Sequence, residues 1–425
     1  MRELAEMTEM RDTSAASARG HAAVKGSRAS GWPVIVAYSL VCAATQVLWL
    51  TYAAITTESA RHYGVSVGTI GWLAEIFPLL YVVLAIPAGL LLDRLFRPAL
   101  ALGGGLVALG GFVRLGGDTF AWAMAGQVLV AVAQPVVLSA VSKLAGEYLP
   151  VDQRPTGIAV GSAGSFVGML LALLLGPTLG AHGQIERLLV VEAVLALIPV
   201  IALALALRRH PAYRSEEHAA IEGSAARALW KLPTMRTLCG LVFVGFGIFV
   251  ALATWLQTLL APTGVSEATA GGLLVGMIVA GTIGCAVLPP LVARRHAERR
   301  FMRVAVLVGC AGCVVLGVTS LLGVQALAMV AMGIVLLPAL PVILTSAEQL
   351  AGPAAGTAGA IVWMAGNLGG LLVALLVQVL VHEPLAAFLA MAAVSLLGLP
   401  LAARVVSLGN VDSPGQPAQA AAAAG

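Results

Sequence analysis

The chain has 425 residues, of which 60% are hydrophobic and 10% charged, with a formal net charge of +4 and a mean hydropathy of +0.96. A soluble domain carries about a quarter charged residues, so this composition excludes an ordinary soluble enzyme or a nucleic-acid-binding module. Twelve apolar stretches, each near the roughly 20 residues that a helix needs to cross a bilayer, predict an all-α membrane protein.

Residues 1–31 are polar, contain no apolar core ahead of a small-residue cleavage site, and are expected to be a disordered cytoplasmic tail. Six spans follow, at 33–56, 68–92, 99–117, 119–142, 155–179 and 188–207. The segment 208–236 is the one long polar interruption and reads as a cytoplasmic linker. Six more spans run over 237–261, 269–293, 304–323, 325–346, 357–380 and 385–403, before an Ala-rich tail from 405 to 425 that is also expected to be disordered. The predicted units are two six-helix bundles, 32–207 and 237–404. Each span is apolar on every face, as a helix in lipid requires, and lacks the alternation of a strand barrel.

Alternate loops hold 21 of the 24 basic residues. The positive-inside bias assigns that side, with both termini and the linker, to the cytosol, and predicts a multi-pass protein of the plasma membrane. The net charge therefore reports topology, and no nucleic-acid partner is implied. Cys310 and Cys313 form a CxxC inside an apolar helix without nearby His or Asp, so a structural role is expected and no metal. No phosphate-cradling GxxxxGK[ST] loop is present, no cofactor is implied, and no paired carboxylates or His cluster offer a catalytic site.

The second span ends in AIPAGLLLDRLFRPALALGGG. Gly89 allows close helix approach, Asp93 stands where the helix meets the cytosol, and Arg94 and Arg97 follow before Pro98 opens the next helix. An acid beside bases at that junction can pair with the other half and act as a conformational latch. This loop resembles the G-x-L-a-D-r-x-G-r-k-x-x motif of the major facilitator superfamily, with matches at Gly89, Leu91, Asp93, Arg94 and Arg97 and with Phe96 in place of the second glycine. The later loop LPPLVARRHAERRFMR keeps the bases without the acid. The resemblance implies the major facilitator fold and alternating access of two bundles around a midplane site.

A narrower resemblance joins the stretch from Trp49 to Asp93 to the feline leukaemia virus subgroup C receptor-related branch, through Trp49 and Tyr52, Tyr63-Gly64-Val65, and Trp72-Leu73. It continues in VAQPVVLSAVSKLA, in EATAGGLLVGMIVAG, and at Glu348 with Gly356-Thr357. The resemblance implies an aromatic cage for an ammonium head, with Trp49 at its first-helix tryptophan, Gln134 at its fourth-helix glutamine and Asn367 at its eleventh-helix glutamine. The seventh-helix tyrosine is replaced by Val250, beside Phe249.

Polar and aromatic residues within spans are the candidates for holding a substrate. They are Gln46, Trp49, Phe77, Gln134, Trp255, Trp363 and Asn367, of which Gln46 and Trp49 share a face one turn apart. Packing or lipid-facing roles compete for each tryptophan. Glu75, a lone carboxylate inside the second span, is expected either to couple a proton or cation or to sit hydrated near the outer interface. Arg114 and Asp118 are expected to form an i,i+4 pair, and Glu58 and Glu192 to be solvated near outer helix ends. The fifth span carries Gly157, Gly161, Ser165 and Gly168 along one stripe suited to close helix packing. These features predict a secondary-active or facilitative transporter, working as a monomer on a small polar organic solute. An amine or cation is favoured, and the alternative is an anion permease of cyanate or organic-acid type that uses Arg114 or backbone dipoles.

Overall fold

A computed structural model describes residues 31–53, 55–180, 184–211, 213 and 225–405. The expected tails and most of the linker lie outside the described residues. Among the described residues twelve helices of 18 residues or more follow one another. They are α1 (Trp32–Leu50), α2 (Val67–Arg94), α3 (Phe96–Val113), α4 (Phe120–Ser139), α5 (Arg154–Leu179) and α6 (Ile185–Ala206). The second set comprises α7 (Pro233–Leu260), α8 (Glu267–Arg294), α9 (Glu298–Val318), α10 (Leu322–Ala351), α11 (Ala355–Val379) and α12 (Pro384–Arg404). A single 3-10 turn at Gly352–Ala354 joins α10 to α11, so the two form one apolar stretch of 58 residues.

Local chemistry explains several boundaries. Gly64 (φ 63°) ends the short helix Thr56–Tyr63 in the left-handed region, where a residue without Cβ is unstrained. Ser66 then caps α2 by accepting from the Thr69 amide. The same device recurs 200 residues later, where Gly264 (φ 82°) precedes Ser266, which caps α8 from the Thr269 amide. Both helices have 28 residues, so the chain carries an internal repeat in register. Some expected boundaries shift. The first span stops at Leu50 rather than 56, and a separate short helix follows at Thr56–Tyr63. The fourth ends at Ser139 and resumes as a separate helix, Val141–Tyr148.

The two sets pack by the same scheme. In the first, α1 lies against α5, α2 against α4, and α3 against α6; in the second, α7 lies against α11, α8 against α10, and α9 against α12. The halves meet where α2 packs on α11 and α5 on α8, two seams that the repeat relates. Alternation of helix direction gathers Arg94, Arg97, Lys143, Arg154 and Arg294 at one end, called here the basic end. Near it α10 is buried on every face over 336–348 and α11 over 355–363. Toward the opposite end α11 becomes exposed at Leu368, Leu371, Leu372 and Leu375, and α7 exposes Thr254, Gln257 and Thr258. The halves are therefore tightly packed at the basic end.

Candidate functional site

At the basic end the last turn of α2 reaches across to the other half. Asp93, whose side chain is 0% exposed, accepts from the amides of Gly356 and Thr357 at 2.8 Å each and from the Thr357 hydroxyl at 2.5 Å. It thereby caps the start of α11, where the helix dipole favours an anion. Lys143 completes the arrangement, with Nζ 3.4 Å from the same carboxylate and 2.9 Å from the Asp93 carbonyl. Gly89 supplies the close approach, since a Cβ there would lie 2.7 Å from Thr357 Cα. Arg97 donates to the Leu207 carbonyl on the first half. A second tie joins Arg154 at the start of α5 to Glu348 on α10 at 3.0 Å, and the Ser142 hydroxyl donates to the Leu344 carbonyl at 3.3 Å.

Further from that end, aromatic rings form an arc through both halves. Phe166 of α5 meets Phe249 of α7 edge-on, with centroids 6.2 Å apart. Phe249 lies 5.8 Å from Phe246, and Phe246 lies 5.8 Å from Trp363 on α11. Trp363 in turn lies 6.3 Å from Tyr81 on α2, whose hydroxyl is 3.0 Å from that of Ser139. A Cβ on Gly359 would lie 2.8 Å from the Ser139 carbonyl oxygen. Because α4 and α11 run antiparallel from that point at 1.5 Å per residue, Trp363 is level with Pro135 and Gln134. Two polar atoms in this region, Trp363 Nε1 and Gln134 Nε2, are buried without a hydrogen-bond partner in the protein, as is Gln46 Oε1 on α1. Beside the arc, Phe166, Phe246 and Phe249 share with Leu241, Leu337 and Leu340 an apolar cavity of about 20 Å³, room for about one water.

The expected substrate residues separate into groups. Gln46, Phe77, Gln134 and Trp363 are buried. Trp49 stacks its ring 6.1 Å from Phe77, and its Nε1 donates to the Ala74 carbonyl at 3.0 Å. That carbonyl loses its helical donor because Pro78 has no N–H, so Trp49 replaces a missing backbone bond. Asn367 turns its amide back to the Trp363 carbonyl at 2.9 Å. Trp255 is outside the arc, with Nε1 on the Ala374 carbonyl at 3.1 Å. Glu75 is exposed on the stripe of α2 that also shows Trp72, Leu79 and Val83. Two residues on, Phe77 faces the centre; at about 100° per residue the carboxylate is on nearly the opposite side of the helix.

Two expectations are corrected. Arg114 does not pair with Asp118, because α3 ends at Val113 and no helical i,i+4 geometry exists there. Its guanidinium instead lies 3.1 Å from Glu192 on α6 and 3.0 Å from the Thr51 hydroxyl, with both ionic side chains 0% exposed. Glu192 is thus buried and paired rather than solvated, while Asp118 lies 3.6 Å from His62. Among the described residues no three His, Cys, Asp or Glu side chains gather as metal ligands.

Sequence reasoning passed over Tyr81, Phe246, Phe166, Lys143 and Arg154 as site residues. A signal existed for Tyr81, which follows Phe77 by one turn and so shares its face. No local signal existed for Phe166 or Arg154, since their partners lie in the other half of the chain.

A match to the Major Facilitator Superfamily covers residues 34–374. Solute carrier family 49 member A3 of Danio rerio is 30% identical over 321 residues, covering 70% of this chain and 66% of that protein. The choline/ethanolamine transporter FLVCR1 of Felis catus is 28% identical over 275 residues, 59% of this chain and 49% of that protein. Human FLVCR2, also named a choline/ethanolamine transporter, is 29% identical over 152 residues, 35% of this chain and 29% of that protein. The chain thus spans less than two thirds of the length of these relatives. In fold it is similar to the human organic anion transporter MFSD10 (TM-score 0.70, 16% identity, 88% of this chain and 100% of that one). It is also similar to the transporter FucP in its outward conformation (TM-score 0.68, 16% identity, 87% and 98%). The twelve-helix fold, the acid-capped junction after α2 and these relatives are those of membrane transporters and not of enzymes, and the chain belongs to the Major Facilitator Superfamily, with relatives in the feline leukaemia virus subgroup C receptor branch.

Proposed function

We propose that the protein moves a small organic cation carrying a polar group, of the choline or ethanolamine kind, across the plasma membrane by alternating access. The observation that carries this reading is the uncharged aromatic arc from Phe166 through Trp363 to Tyr81, shared between the halves. Electron-rich rings attract a desolvated ammonium by about 1–2 kcal/mol. Beside them Gln134 Nε2 and Trp363 Nε1 can donate, and on α1 the buried Gln46 Oε1 is free to accept. A hydroxyl both accepts and donates, so a hydroxyl-bearing cation matches both kinds of group. The names of the FLVCR relatives agree with that chemistry.

With the basic end in the cytosol, the tight packing of α10 and α11 there describes a state closed to the cytosol. Asp93 and Arg154 then act as latches between the halves, released when the bundles rock. A single chain supplies every ring of the arc, so a monomer suffices. Glu75 stands outside this mechanism, on the far side of α2 from Phe77. Of the two routes to an anion permease, the one through Arg114 is closed, because that charge is taken by Glu192.

Purified protein should be stabilised against heat by choline or ethanolamine and not by cyanate or organic acids. Trp363→Ala should weaken cation binding by about 1–2 kcal/mol, roughly 5- to 30-fold, with Trp363→Phe between it and the parent. Stabilisation by anions alone, or equal affinity in all three proteins, refutes the cation reading.

A further inference from the structure

Six arginines gather at one corner of the basic end. Arg294 and Arg295 close α8, Arg299, Arg300 and Arg303 lie in the first turns of α9, and Arg404 closes α12; all six are exposed. Arg299 Nε donates to the Val405 carbonyl at 2.9 Å, which brings the end of α12 against the start of α9. The single acid within 294–303, Glu298, is buried.

These arginines continue the lipid-facing stripes of their helices. Along α8 the exposed residues Ile283, Val287 and Leu291 recur at four-residue spacing and lead to Arg294 and Arg295. Along α9, Val304 and Leu307 are exposed one turn beyond Arg300 and Arg303. On α12 the exposed Leu397 is followed two turns later by Arg404. Residues four apart share a helix face, so the guanidinium groups extend from the lipid-facing surface to headgroup level, where long cationic side chains settle.

The positive-inside bias accounts for the sign of this end but not for how its charges are used. In the first half three bases at this end serve the protein itself: Lys143 holds Asp93, Arg154 holds Glu348, and Arg97 binds the Leu207 carbonyl. The internal repeat puts Ala293 where the first half has Asp93, so the loop after α8 has bases without a latch to complete. We propose that the corner formed by α8, α9 and α12 binds the headgroups of anionic phospholipids. A guanidinium matches phosphate oxygens in a two-pronged fashion, and clustered bases at a membrane surface select anionic over zwitterionic lipid.

The test uses the full chain in a neutral detergent, with thermal unfolding followed in dioctanoyl-phosphatidylglycerol, dioctanoyl-phosphatidylcholine or inorganic phosphate. Phosphatidylglycerol alone should raise the unfolding midpoint, and added salt should diminish the rise. Arg299→Gln/Arg300→Gln/Arg303→Gln should lose most of it, whereas Arg187→Gln at the opposite end should keep it. An equal rise with phosphatidylcholine or with free phosphate, or a full response in the triple variant, overturns the proposal. If the triple variant does not fold, a photoactivatable phosphatidylglycerol on the parent protein decides the matter. Labelling concentrated in peptides spanning 294–303 and 404 supports the site, and labelling spread evenly over all the loops overturns it.

Discussion

Replacing Asp93 by Asn tests the tie at the basic end most directly. The carboxylate accepts three hydrogen bonds from the start of α11 and faces Lys143. Asn retains one oxygen for those donors and turns an amide NH2 toward the others. Hydrogen bonds to a buried charged group are each worth about 1.5–3 kcal/mol, while the Lys143 contact at 3.4 Å adds little. Losing the charge and at least one bond should remove about 2–3 kcal/mol, or roughly 30- to 150-fold in an equilibrium. Because these bonds join the two halves, the loss falls on the closed basic end rather than on folding within either half. Asp93→Asn should therefore fold and insert normally, transport much more slowly, and favour the state open at the basic end. Spin labels at the exposed positions Leu95 and Gln349, on opposite halves, would report a longer separation. An unchanged distance distribution together with a parental rate at equal surface abundance would remove the latch from the mechanism.

Gly89→Ala should act in the same direction, because the new methyl would lie 2.7 Å from Thr357 Cα and 2.8 Å from Ala360 Cβ; normal transport with normal closure would contradict the close-approach argument. Arg114→Gln should destabilise the protein by about 3–5 kcal/mol, since it leaves the buried Glu192 unpaired, and Arg114→Met/Glu192→Leu should recover part of that. The thermal midpoints of the two variants check this, and a single variant as stable as the parent would deny the pair its structural role. Glu75→Gln should leave the transport rate and its pH profile unaltered, as its place on the exposed stripe of α2 requires; a flattened pH profile would return the carboxylate to the mechanism.

Much of the architecture is legible in the residues themselves because lipid imposes a local rule. Every segment in hydrocarbon must satisfy its own backbone, so hydropathy alone marks the spans. The acid-and-base loop after α2 identified the superfamily for the same reason: its residues are contiguous. Gln46, Gln134 and Trp363 were recognisable because polar or aromatic groups are conspicuous in an apolar helix.

What tertiary structure alone decided is which of these groups face one another. Arg114 and Glu192 stand 78 positions apart and Asp93 and Thr357 264 apart, and no pattern within one helix links them. The direction of Glu75 depended on which face of α2 the other helices cover. Trp49 held a similar ambiguity, resolved by the carbonyl that Pro78 leaves free on the neighbouring helix. Hydropathy is a property of segments, and so the sequence determined the twelve helices and their family. Pairing is a property of surfaces brought together by packing, and so the Asp93 cap on α11, the buried ion pair and the aromatic arc became visible only once the helices were packed.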